Sequence, residues 1–132
     1  MKMRIDIMPL VEKDRLFLRK GDETSEQTTY QYLEYVRTKL DSYLKALGAY
    51  CLAEGLGSNG GAHVRCTRAY FHRTNPLNVY IVSNSETSPL KAVIEVTSDE
   101  NTLRALNQRF INEHHLQEEE GFIFENESKE RK

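Results

Sequence analysis

The chain has 132 residues yet only two cysteines, no long apolar run and, between Gly55 and Ser85, no Asp, Glu or Lys. Each shortage excludes something. Cys51 and Cys66 stand fifteen positions apart, which matches neither a disulfide framework nor a zinc-ligand spacing, so a reducing, cytoplasmic setting is expected. Both sit in apolar, strand-like contexts and are read as inert core thiols. No apolar run approaches the roughly 18 residues of a membrane span, so no membrane partner is expected. The N-terminal residues lack the apolar stretch and small-residue cleavage site of a secretory signal, and nothing there points to export. With 39% hydrophobic and 29% charged residues, the composition is that of one globular domain with a single core.

The missing acids are the most informative shortage. Residues 55–85 hold Arg65, Arg68, Arg73, His63 and His72 around Tyr70 and Phe71, while all 20 acids lie elsewhere. A formal net charge of -2 thus divides into a +3 centre and a -5 remainder. Such a centre is a candidate anion-binding surface.

Periodicity gives the architecture. Residues 4–11 alternate, and Leu16 and Leu18 repeat that period, so two short N-terminal strands are expected. A polar turn then leads into a long helix from near Thr28, with Leu33, Val36, Leu40, Tyr43, Leu44 and Leu47 as its apolar stripe and Gly48 as its stop. Tyr32 and Tyr35 flank the stripe and could either widen it into a partner surface or lean over the core margin. Residues 49–54 read as a strand, 55–61 as a turn or mobile loop, and 62–73, 77–84 and 89–97 as three consecutive antiparallel strands. A second helix, capped by Thr97 or Ser98, carries Leu103, Leu106, Phe110 and Ile111 and ends near His114 or His115. Residues 121–124 suggest a final edge strand. The expected fold is α+β, a two-layer sandwich with two helices on one face of a mostly antiparallel sheet, ferredoxin-like with added strands. It forms a single domain over residues 1–124, with 125–132 as a disordered tail.

Within that frame, the glycine-rich segment Gly57, Ser58, Asn59, Gly60 and Gly61 offers backbone N–H donors, although it lacks the order of a P-loop and precedes a strand rather than a helix. Beside Arg65, Arg68 and Arg73, it could clamp a phosphate or carboxylate, with Tyr70 or Phe71 as a stacking face. On an extended strand His63, Arg65 and Thr67 share one side and Cys66, Arg68 and Tyr70 the other, so the clamp needs a bulge near Arg68 or Ala69; otherwise Arg68 ends in a salt bridge at the rim. No RNA-binding signature surrounds the aromatics, and overall acidity disfavours duplex nucleic acid. For catalysis the candidates are His63 or His72 with Glu54, while Ser58 lacks a nucleophile elbow. His114 and His115, adjacent on a helix, point apart and do not chelate together.

The sequence therefore points to a small binding or regulatory protein, expected to be a homo-oligomer, that holds an anionic small molecule such as a nucleotide and needs no cofactor or metal. A protein adaptor or inhibitor docking on an acidic partner is the alternative, and a small His-dependent transferase, lyase or hydrolase the third reading.

Overall fold

The structure is a computed structural model that describes residues 1–22, 24–58, 63–74, 79–87 and 91–125, with the side chains of 25, 56–58, 63–65, 79–87 and 91 left aside. It is α+β: strand β1 (Lys2–Asp6), helices α1 (Met8–Glu12) and α2 (Ser25–Ala46), strands β2 (Ala49–Ser58), β3 (His63–His72), β4 (Val79–Thr87) and β5 (Lys91–Thr97), helix α3 (Glu100–His114), a 3-10 turn at Glu118–Glu120, and β6 (Ile123–Glu125). The strands form one sheet in the order β2-β3-β4-β5-β1-β6, and every neighbouring pair is antiparallel.

Two long crossovers build this order. Helix α3 links β5 to β6 across the intervening β1, which is a split β-α-β unit. Helix α2 links β1 to β2 across three intervening strands, where a ferredoxin-like unit has one. The β2–β5 meander separates β1 from β2 in the sheet and so lengthens this crossover.

Alternation along the central strands explains why both helices lie on one side. Met3 and Ile5 of β1 face Val96 and Ile94 of β5 in register, and all four are buried with Ala92 in the same core as both helices. Their alternates Lys2, Arg4 and Glu95 reach the other surface, where Lys2 pairs with Glu95 at 3.8 Å and Arg4 with Glu125 at 3.4 Å. Helix α2 buries Leu33, Val36, Leu40, Tyr43 and Leu44 as its spacing predicts, and α3 buries Leu103, Leu106, Phe110 and Ile111. Leu47 is 43% exposed instead, because the helix has ended before it.

Several boundaries differ from expectation for identifiable reasons. Residues 4–11 are not one strand: Pro9, within the first two helical positions, removes a ladder donor and suits the first turn of α1. Leu16 and Leu18 are not in a strand either. The Asp14 carboxylate takes the N–H groups of Leu18 and Arg19, and the Tyr32 hydroxyl takes that of Leu16. Helix α2 starts earlier, because Thr24 and Gln27 form a reciprocal capping box. Gly55 to Ser58 continue β2 in register with Thr67 to Val64 rather than forming a loop, since pairing along one whole side outweighs the weak strand preference of glycine. Asn59, Gly60 and Gly61 lie outside the described residues. Likewise Ser85, Glu86 and Thr87 belong to β4, and Glu125 belongs to β6, leaving 126–132 outside the described residues. Asp99, not Thr97 or Ser98, caps α3, accepting from the Thr102 amide at 3.0 Å. Cys51 is exposed on the edge strand, and only Cys66 is the buried thiol expected of both.

Candidate functional site

The β2–β3 hairpin carries most of the residues that the charge pattern singles out. Cys66 and Tyr70 are buried on its helix side, and Arg68 lies between them in strand alternation, so this face is the one expected. Arg65 pairs in register with Gly57 and Ser85 and falls in the alternate set with Thr67 and Ala69. The two arginines are thus not brought together by the strand. A register shift does occur, but in β2, between Cys51 and Ala53 opposite Tyr70 and Ala69. It bends the edge strand and leaves Arg68 on its original side.

On the helix side Arg68 donates from Nε to Glu54 Oε2 at 2.9 Å, and Glu54 also accepts from the Cys66 thiol at 3.7 Å. Tyr70 is 1% exposed and its hydroxyl donates to Asp41 of α2 at 2.7 Å. Asp41 in turn pairs with Lys45 at 3.2 Å. Burial works against the Arg68 cation, but the Glu54 carboxylate and the Tyr70 hydroxyl outweigh it and raise the pKa of Arg68. The same carboxylate is held below its usual range, first by its hydrogen bond to Arg68 and then by the charge of that group. Burial and the bond to Asp41 push the Tyr70 phenol upward.

Helix α2 adds a group that strand alternation could not reveal. Arg37 is buried, bonds to Glu34 one turn back on the helix, and is close enough to lower the pKa of Glu54. Its signal in the sequence was only its place beside the apolar stripe, on a different element from the hairpin. The Glu54 carboxylate, whose side chain is 51% exposed, thus bonds to Arg68 and also feels the charge of Arg37.

The Arg68 contact differs in kind from that of Arg15. Arg15 grips Glu120 with two parallel bonds, Nε to Oε2 at 2.8 Å and Nη2 to Oε1 at 2.9 Å, the closed fork of a structural tie. Arg68 reaches Glu54 through Nε alone. The Tyr70 hydroxyl also interacts with this guanidinium and helps hold its charge.

The remaining candidates are dispersed. Arg73 is exposed just past β3. His72 Nε2 lies 2.9 Å from the Leu47 carbonyl at the end of α2, in register with Ala49, whereas Glu54 is in register with Arg68. These positions are about 13 Å apart along the strand, so His72 and Glu54 form no acid–base pair. The side chain of His63 lies outside the described residues, as do Gly57 and Ser58 beyond their strand pairing. Buried Tyr70 offers no ring face to a ligand, whereas Phe71 is partly exposed opposite Tyr50. His114 is engaged by the Tyr35 hydroxyl and the Phe110 carbonyl, while His115 closes α3 in a left-handed conformation.

Among the described residues no helix is long and apolar enough to cross a membrane. Comparison with protein-family models, curated proteins and solved structures finds no match for this chain. What fold and site define together is a two-layer α+β protein with an arginine-flanked carboxylate at the rim of its meander.

Proposed function

We propose that this protein is a small cytoplasmic binding or regulatory protein that takes a carboxylate or phosphate group at Arg68, with Glu54 occupying that place in the empty state. One observation carries the reading: a half-exposed carboxylate pairs at 2.9 Å with a mostly buried arginine, and the charge of Arg37 also acts on that carboxylate. An incoming anion need only swing Glu54 outward to gain a charge-assisted fork on Arg68. Phe71 and Arg73, in the alternate set on the other side of the sheet, take part only where the ligand reaches round the edge strand. Arg65 and Gly57 to Gly61 remain part of this proposal as the approach from the hairpin tip.

Titration calorimetry with inorganic phosphate and with free glutamate tests the reading. Arg68→Ala is expected to weaken binding at least tenfold, and Glu54→Gln, which removes the internal competitor but keeps its shape, to strengthen it several-fold. Unchanged affinity in Arg68→Ala sinks the assignment.

A second reading, docking on an acidic protein, is favoured by β2 itself. It is an edge strand of ten residues without Lys, Arg or Pro, and it exposes Tyr50 and Leu52 at 43% and 59%. Edges of this length are templates for a partner strand, here on either side of the Cys51/Ala53 register shift. Capture of a partner that is lost at high salt, together with no phosphate or glutamate binding, would favour this reading over the first.

A further inference from the structure

Arg68 has a second neighbour, and the helix layer fixes how that neighbour faces it. Tyr70 follows Arg68 by two residues on the same side of β3, about 7 Å along the strand, and its hydroxyl interacts with the Arg68 guanidinium. A phenol carries a single proton. Here that proton is committed to Asp41 Oδ1 of α2 at 2.7 Å, while Lys45, one turn further along the helix, reaches Asp41 Oδ2 at 3.2 Å. The Tyr70 oxygen therefore turns only lone pairs toward Arg68, from a ring that is buried in the core.

The two partners of Arg68 thus differ in freedom. Glu54 is half-exposed and lies on the edge strand, where residues 50–55 are all exposed, whereas Tyr70 moves only if the core opens. When an anion displaces Glu54, the Tyr70 oxygen stays on the guanidinium. It keeps the cation from following the departing carboxylate, and it spares the ligand the entropy of ordering a long side chain. The lone pairs face Arg68 only while Asp41 holds the proton. A phenol released from Asp41 is free to turn its hydrogen toward the cation and loses this hold.

We propose that Tyr70, set by Asp41, is the positioning residue of the anion site, a role that rests on the reading of Arg68 given above. Tyr70 touches no ligand: it acts through Arg68, and Asp41 acts through Tyr70. Helix α2 thereby sets the geometry of a site whose other side chains come from the β2–β3 hairpin, as a supporting layer does for a preorganised site.

Exchange of the Arg68 Nε–H with solvent, followed by nitrogen-15 NMR on the full chain without ligand, tests the positioning apart from binding. The Nε–H of Arg15, bonded to Glu120, serves as the reference for general loosening. Tyr70→Phe is expected to speed Arg68 exchange about tenfold with Arg15 unchanged, and to weaken glutamate and phosphate binding about fivefold in titration calorimetry. Asp41→Leu, which frees the phenol proton, should do the same. Asp41→Asn, which keeps an acceptor oxygen for that proton, should retain slow exchange and binding. Unchanged Arg68 exchange in Tyr70→Phe, equal acceleration at Arg15, or an Asp41→Asn variant as fast as Asp41→Leu would each overturn the proposal. The expected exchange pattern in a protein that binds neither anion would instead overturn the anion reading, and Tyr70 would then position Arg68 for Glu54 alone.

Discussion

Gly48 shows how a single residue sets a junction. It follows α2 with φ +97, where a side chain is strained, and a Cβ built there would lie 2.9 Å from His72 Nε2. That histidine also reaches the Leu47 carbonyl left unpaired by the helix end. Gly48→Ala therefore combines backbone strain with displacement of a cap, and is expected to lower stability by about 1–2 kcal/mol, read from the urea midpoint. The stop itself was legible, because glycine after an apolar helical stripe has a local meaning. Its contact with His72 was not, since that depends on β3 returning beside β2. The same holds for Arg68. Its strand side followed from alternation, but its bond to Glu54 of β2, and the link from its neighbour Tyr70 to Asp41 of α2, depend on a juxtaposition that only the folded chain creates.

At the scale of elements, periodicity located both long helices and all the strands of the meander, because each carries a one-sided apolar pattern. It failed where side chains far away satisfy the backbone. The 13–19 turn was read as a strand from two leucines, yet its amides are taken by Asp14 and by Tyr32, a residue one helix away. Tyr32 is fully buried, so it belongs to this latch and not to a partner surface. The latch has a pH signature. Asp14 is held below its ordinary value of 3.8, first by its bond to Tyr32, so its contribution is present above pH 3.8 and is lost as pH falls through the lowered value. Burial, then Asp14, pushes Tyr32 from 10.0 up to about 12. That contribution is full below pH 10 and disappears as pH rises toward about 12. Melting temperatures followed across pH should fall at both ends, and Tyr32→Phe should flatten both limbs while lowering the plateau. Limbs of unchanged steepness in the variant would show that other groups govern them.

Over the whole molecule, the apolar core and the charge asymmetry occupy different ends of one sheet. Buried residues concentrate where β1 and β5 meet both helices, with Met3, Ile5, Ala92, Ile94 and Val96 under Leu33, Val36, Leu40, Leu103 and Phe110. Toward β2 the described burial thins to Ala49, Cys66 and Tyr70, and residues 50–55 are all exposed. Local opening costs least where few apolar contacts are lost, so the hairpin that carries Arg68 should open without unfolding the rest. Native-state hydrogen exchange is expected to find the slowest amides in β1 and β5 and faster exchange in β2. Leu40→Ala, at a fully buried site, should cost about 2–5 kcal/mol and lower the protection of the slow amides by that amount, while barely moving β2, whose opening does not break the core. Equal losses in both strands would show one cooperative unit, and the hairpin would then have no independent freedom to rearrange Glu54 around a ligand.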